Sequence, residues 1–171
     1  QAQPDIIYEI TDVLRIRMPG FRALRLKDAG EGKMLYAGFE NETGGAAVDI
    51  PFRLLSEGQK ALICLYTILF ALFSHENATL CMDEPENFLA LPEIQPWLDR
   101  FYEICEDDNR QGLLISHHPR IINFLAADTG AWFNRDNGTG PTRVFPIVAE
   151  GKGPISVDQL VERGWIDGGQ G

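Results

Sequence analysis

The chain has 171 residues, 44% of them hydrophobic, and its formal net charge at pH 7 is −10. This size is that of one domain, and the hydrophobic content is ordinary for a folded chain with a sizeable core. The acidic charge argues against a broad nucleic-acid-binding face on this segment, because phosphate backbones are held by Lys and Arg. DNA binding by one local groove, or by another part of the protein, stays open.

The three cysteines are far apart and form no metal-type pair. Each lies in an apolar pattern, so we interpret Cys64, Cys81 and Cys105 as buried, reduced thiols of a cytoplasmic protein. No signal peptide is visible, and the longest apolar run, 61–73, suits a core helix better than a bilayer span. The sequence therefore predicts a cytoplasmic chain with no membrane partner.

The first part of the chain is predicted to form a helix and then a small antiparallel meander. Apolar residues recur at helical spacing after Pro4, and a Pro-Gly pair at 19–20 ends this helix. The segment 30–33, Gly-Glu-Gly-Lys, lacks the spacing of a phosphate loop and has no helix after it, which indicates a hairpin turn. Alternating patterns separated by turns predict three strands, at 21–27, 34–39 and 47–50.

The rest of the chain alternates strands with helices, the order of a parallel α/β sheet. Residues 59–73 are apolar nearly all round and predict a buried helix. Apolar runs at 78–82 and 112–116 predict buried strands, the first of them a central strand covered on both faces. The remaining predicted elements are helices ending near 106 and spanning 120–127, strands at 131–133 and 143–148, and a last helix with a Ser156/Gln159 capping box that stops near Gly164.

Ser56-Glu57-Gly58-Gln59 stands at the start of the long apolar helix, and two interpretations of it coexist. In the structural one, Ser56 caps the helix and Gln59 closes a capping box. In the functional one, a serine hydroxyl and a glycine that permits close backbone approach make the helix N-terminus an anion site. Both need the same geometry, so the downstream motifs must decide.

Asp83 and Glu84 directly follow the apolar run at 78–82. At the carboxyl end of a central parallel strand they would lie where ligands bind in open α/β sheets. Phosphoryl transfer needs one acid near Mg²⁺ and another to orient the attacking water, and we assign these roles to Asp83 and Glu84 respectively. The alternative is a strand that simply ends in exposed acids.

Two histidines, His117 and His118, follow the second buried strand and are expected at the same sheet edge. A histidine there can hydrogen-bond a γ-phosphate and respond to its charge, and His117, directly after Ser116, is the better candidate. His118 precedes Pro119 and is interpreted as a turn residue. A zinc site formed with His75 is not favoured, because no thiolate or carboxylate falls at ligand spacing beside the pair.

The order and spacing of these motifs resemble the ABC ATPase superfamily. Residues 55–59 resemble its signature motif, 80–85 its Walker B strand with the catalytic glutamate, and 115–117 its switch-histidine loop. The run 83–87, Asp-Glu-Pro-Glu-Asn, resembles the soluble RecF-like, SMC-like and OLD-like heads of AAA-type ATPases. Ala90 stands where transporters carry the D-loop aspartate, and no stretch matches the Walker A loop, Gly-x-x-x-x-Gly-Lys-Ser/Thr.

The resemblance implies an α/β fold, that of the C-terminal part of a P-loop NTPase head of the ABC type. Its central, largely parallel sheet would be flanked by helices, with a small antiparallel meander. Residues 1–171 would form a single partial domain that lacks its N-terminal Walker A segment and is inactive alone. The implied ligands are ATP and Mg²⁺. The implied site residues are Ser56, Glu57, Gly58 and Gln59 at the ATP phosphate of an opposing head, Asp83 at the metal, and Glu84 and His117 as catalytic groups.

The resemblance also implies a function and partners. A homodimer of heads would close around ATP and hydrolyse it, with the N-terminal Walker A lobe of the same protein as a further partner. In the soluble branch such heads usually drive a DNA-linked process, in repair, chromosome maintenance or defence against foreign DNA, so DNA or an effector nuclease is also expected. The alternatives are an ABC transporter nucleotide-binding subunit, which the run 83–87 disfavours, and a non-catalytic scaffold half, which the intact Glu84 disfavours.

Overall fold

A computed structural model describes most of the chain. The described residues are 4–41, 46–73, 75, 77–107, 110–126, 129–135, 139–147 and 156–162. They fall into two compact units, Gln1–Ile115 and Ser116–Gly171. In the described parts, no helix is long and apolar enough to cross a membrane.

The first unit begins with helix α1 (Pro4–Arg17), followed by the predicted antiparallel meander. Helix α1 lies against the first strand, and the first two strands are longer than predicted, because Ala29 still pairs with Gly32. The predicted hairpin turn in the segment 30–33 is thus confirmed, whereas residues 42–45, between the second and third predicted strands, lie outside the described residues. The strands are β1 (Phe21–Ala29), β2 (Gly32–Phe39) and β3 (Val48–Pro51), in the order β1-β2-β3.

The long apolar helix is confirmed, with a wider last turn than expected. Helix α2 (Glu57–Thr67) continues as a π-helical turn, Ile68–Leu72, in which the Phe73 N–H donates to the Ile68 carbonyl at 2.9 Å. Helix α3 (Leu91–Asp107) begins earlier than its apolar pattern indicates. Pro96 lies inside α3.

The core of the first unit joins α2 to α3 through aromatic side chains. Trp97 is fully buried, and its indole N–H donates to the Leu65 carbonyl of α2 at 2.9 Å. Its ring stacks on Phe101 at 5.3 Å between centroids, and Phe101 stacks on Phe73 at 5.5 Å. Buried aromatic pairs of this kind stabilise a core by more than their buried area alone.

Strands β4 (Thr79–Asp83) and β5 (Gln111–Ile115) form the predicted parallel pair, but the prediction that β4 is covered on both faces is wrong. Exposure alternates along both strands, and Leu113 and Ile115 are 48% and 65% exposed on one face. The helices of the first unit cover the other face, where Phe101 lies against Gly112. Within the described residues, β4 and β5 pair only with each other.

The prediction that all three cysteines are buried is also wrong. Cys81 lies on the uncovered face of β4, Cys64 is exposed on α2, and Cys105 is half-buried. All three are free thiols. Partial burial raises the pKa of the Cys105 thiol, which favours its protonated form.

The second unit contains two short helices and an antiparallel strand pair. Asn123 binds Asp158 twice: its Nδ2 donates to Asp158 Oδ1 at 2.9 Å, and its Oδ1 accepts from the Asp158 N–H at 2.9 Å. The Ser156 hydroxyl also donates to Asp158, and these hydrogen bonds lower the pKa of the Asp158 carboxyl. The elements are α4 (Pro119–Ile121) with a π-helical turn at Ile122–Ala126, β6 (Ala131–Arg135), β7 (Thr142–Pro146) and α5 (Val157–Glu162).

The contact of Phe101 with Gly112 predicts that Gly112→Ala destabilises the first unit. A methyl group at position 112 would overlap the Phe101 ring, and overpacking of a core costs about 1–3 kcal/mol. The measurement is urea unfolding of the chain. Gly32→Ala is the matched control, because the nearest atom to a methyl group there would be 3.9 Å away. Equal midpoints for the two variants would contradict the packing described here.

Candidate functional site

The start of α2 has the predicted capping box. Ser56 is the N-cap, its Oγ accepts from the Gln59 N–H at 3.2 Å, and Gln59 Oε1 accepts from the Ser56 N–H at 3.0 Å. Glu57 pairs with Lys60 across one turn at 2.7 Å. Ser56 is exposed, so solvent reaches this helix N-terminus, where the aligned peptide dipoles favour an anion. The geometry is therefore compatible with both interpretations of this motif, the helix cap and the anion site.

Gly58 has a structural role that its sequence context does not reveal. A Cβ atom at this position would lie 2.9 Å from the Phe88 carbonyl oxygen, too close for an ordinary contact. The absence of a side chain at Gly58 lets the start of α2 lie against the loop that follows β4. This glycine is thus needed for packing within the chain, whatever it does for a ligand.

The two acids lie at the carboxyl end of β4, as predicted. Asp83 is the last residue of the strand and is exposed, and its register partner is Ile115. The Glu84 N–H donates to the Ile115 carbonyl at 2.7 Å, which extends the pairing by one residue. One exposed carboxylate, completed by phosphate oxygens and water, is a usual magnesium ligand set in nucleotide sites, so Asp83 fits the metal role.

The backbone after β4 turns sharply and is strained at two residues. Glu84 and Phe88 have φ values of +47° and +70°, a left-handed region that non-glycine residues rarely occupy. The Asn87 N–H donates to the Glu84 carbonyl at 3.0 Å, and the Leu89 N–H donates to the Glu86 carbonyl at 3.0 Å. Strain of this kind persists where the surrounding contacts over-determine the backbone, and it often marks a functional site.

Sequence reasoning missed the side chain that contacts Glu84. Asn87 Nδ2 donates to Glu84 Oε2 at 2.8 Å. Its neighbour Phe88 is 73% exposed, although it is a large aromatic residue. The available signal was the spacing: an amide three residues after an acid, directly behind a strand, can close a tight turn onto that acid.

The predicted histidines begin the second unit. His117 is exposed and lies in the segment between β5 and α4. His118 is the N-cap of α4, and its Nδ1 accepts from the Arg120 N–H at 3.3 Å. His118 therefore has the local structural role expected of it, while the placement of His117 beside the acids stays a prediction. Among the described residues, no group of three His, Cys, Asp or Glu side chains is placed to hold a metal ion.

The parallel pair ending in two acids, the capped helix and the antiparallel meander together have the α/β fold of P-loop ATPase heads of the ABC type. The chain belongs to the family described as "AAA domain, putative AbiEii toxin, Type IV TA system", whose model matches residues 5–123. This membership supports a nucleotide-driven function of the ATPase type. No curated protein matches the chain.

Solved structures with the same fold include three from SMC ATPases, two of them described as Smc heads. One comes from work on ATP-driven dimerization and DNA-stimulated activation of SMC ATPases, with a TM-score of 0.59 and 16% identity over 97% of this chain and 93% of that one. The Smc head with coiled coil and joint from Pyrococcus yayanosii has a TM-score of 0.60 and 19% identity, over 94% of this chain and 29% of that one. An Smc head bound to the C-terminal winged-helix domain of ScpA has a TM-score of 0.60 and 18% identity, over 85% of this chain and 43% of that one. The chain thus spans less than half of the last two structures.

The capping geometry predicts different effects on stability for two substitutions at Ser56. Ser56→Ala removes the acceptor for the Gln59 N–H and should cost about 1 kcal/mol of stability. Ser56→Asp keeps an acceptor and adds a charge that the helix dipole favours, so it should stay within about 0.5 kcal/mol of the parent chain. Urea unfolding of the three chains measures this. An alanine variant as stable as the parent would show that the cap contributes nothing.

Proposed function

We propose that this chain is the C-terminal lobe of an ABC-type ATPase head, which binds and hydrolyses ATP when a Walker A lobe of the same protein completes it. Residues 1–171 are then a single partial domain. Two such heads join around ATP and separate after hydrolysis. The observation that carries the proposal is the pair of acids at the carboxyl end of β4, with Glu84 held in a left-handed backbone by the end of β5.

The uncovered face of β4 and β5 supports the requirement for a second lobe. Leu113 and Ile115 are 48% and 65% exposed there, and Cys81 lies on the same face. Parallel sheets are normally covered on both faces, and here, among the described residues, helices cover only one face of the β4/β5 pair. A Walker A lobe that packs on this face would bury these side chains and bring its phosphate loop to the end of β4.

Each site residue takes one role in the proposed reaction. Glu84 accepts a proton from the attacking water, and His117 donates a hydrogen bond to the γ-phosphate. Mg²⁺, held by Asp83, would neutralise charge on the phosphates. The exposed cap of α2, with Ser56, Glu57, Gly58 and Gln59, faces the ATP phosphate of the opposing head.

We further propose that the head drives a DNA-linked process. The SMC ATPases that share the fold are described as activated by DNA, and one Smc head is bound to a domain of the partner protein ScpA. The net charge of −10 disfavours a broad DNA-binding face on this chain, so DNA or an effector nuclease would be engaged by another part of the protein or by a local groove.

In the complete head, Glu84→Gln should keep ATP and Mg²⁺ binding but reduce hydrolysis by orders of magnitude. Glutamine keeps the size and an oxygen of the side chain, but it cannot act as a carboxylate base. The measurement is single-turnover hydrolysis beside nucleotide affinity. Asp83→Asn should weaken Mg²⁺ binding instead, and His117→Ala should slow turnover with a smaller effect on affinity.

The negative control of this experiment is the present chain without the Walker A lobe. It should neither hydrolyse ATP nor bind it tightly. Its sequence contains no phosphate loop to hold the β- and γ-phosphates. If the Glu84→Gln head hydrolyses ATP at the parental rate, Glu84 is not the catalytic base. Magnesium-dependent ATP turnover by the negative control would overturn the proposal that a second lobe is needed.

Ser56→Asp should abolish ATP-dependent pairing of complete heads while leaving each head folded. The aspartate keeps the helix cap but places a negative charge where the opposing γ-phosphate would arrive. Size-exclusion chromatography with and without ATP measures the pairing, and urea unfolding verifies the fold. Substitution of Gly58 is a poorer probe, because any side chain there meets the Phe88 carbonyl of the same head. If heads carrying Ser56→Asp still pair in the presence of ATP, the motif is only a helix cap.

A further inference from the structure

The turn after β4 holds the Glu84 side chain by a specific contact. Asn87 Nδ2 donates to Glu84 Oε2 at 2.8 Å. The same two residues are joined through the main chain, where the Asn87 N–H donates to the Glu84 carbonyl at 3.0 Å. The turn thus brings the amide to one carboxylate oxygen and holds it there.

The turn is itself fixed at both ends, so the contact does not depend on a flexible loop. At its start the Glu84 N–H donates to the Ile115 carbonyl of β5 at 2.7 Å. At its other end the Phe88 carbonyl abuts Gly58 of α2. Between them, Pro85 and Glu86 are buried, with Glu86 8% exposed. The amide of Asn87 therefore has a defined position relative to the end of β4.

Asn87 has no comparable role in packing. Its side chain is exposed, so its amide does not fill the core. A glutamate side chain has three rotatable bonds, and fixing it in one orientation costs conformational entropy that a reaction would otherwise have to supply. A hydrogen bond from a neutral amide to a carboxylate is among the stronger ones in proteins, and it leaves the charge of the carboxylate in place.

We propose that Asn87 is a positioning residue, which orients the Glu84 carboxylate toward the attacking water by holding Oε2. This rests on the proposed function, in which Glu84 is the base. In this role Asn87 would act through Glu84 and not by contacting the nucleotide or the metal. Its loss should therefore lower kcat and leave ATP affinity unchanged.

The test uses complete heads carrying Asn87→Asp or Asn87→Ala. Asn87→Asp keeps the shape and the turn preference of asparagine but has no N–H to donate. We expect kcat to fall about tenfold in both variants, as for other losses of orientation, with KM for ATP unchanged within about twofold. A matched control is Gln95→Glu on α3. It removes another amide-to-carboxylate bond, from Gln95 Nε2 to Asp99 Oδ1 at 3.0 Å, and adds the same charge. It should leave kcat unchanged.

A double-mutant cycle separates positioning from a structural role. If Asn87 works through Glu84, then Asn87→Ala added to Glu84→Gln should change the residual turnover by less than about twofold, because interacting groups are not additive. A full tenfold loss on top of Glu84→Gln would overturn the proposal. So would a parental kcat in both single variants, or a KM that rises together with a fall in unfolding stability. If Glu84→Gln alone retains parental turnover, Glu84 is not the base of the proposed function. The positioning role of Asn87, which depends on that assignment, is then wrong as well.

Discussion

The parallel pairing of β4 with β5 is the constraint on which the rest of the first unit depends. Register runs from Thr79 opposite Gln111 to Asp83 opposite Ile115, and the Glu84 N–H adds one more bond to the end of β5. This pairing fixes the backbone positions of Asp83 and Glu84 relative to the end of β5. Without it, the backbone of the two acids would lose the hydrogen bonds that connect it to β5.

Two packing routes connect this strand pair to the start of α2. In one, Gly112 of β5 admits the Phe101 ring, and the aromatic stack continues to Trp97, whose indole binds α2. In the other, the turn after β4 brings the Phe88 carbonyl against Gly58. Because both routes end on the same helix, the left-handed backbone of the turn, which costs on the order of 1–3 kcal/mol per residue, is held from two sides.

The sequence contains the local parts of this arrangement and not the tertiary ones. The capping box could be predicted because Ser56 and Gln59 have the required spacing, and β4 and β5 because their apolar runs are short and end in polar residues. The uncovered face at Leu113 and Ile115 could not be predicted. A continuous apolar run has the same appearance whether the second face is covered by its own chain or by another segment. The left-handed backbone at Glu84 was equally hidden, because nothing in the local propensity of glutamate favours it.

The contact between Gly58 and the Phe88 carbonyl couples the position of the start of α2 to that of the turn after β4. The start of α2 cannot move toward the turn, since the carbonyl already lies where a Cβ atom would be. It can move away only by giving up the contact that holds Phe88, and with it a restraint on the turn that begins at Glu84. The cap of α2 and the turn in which Asn87 binds the Glu84 carboxylate therefore restrain one another through this contact.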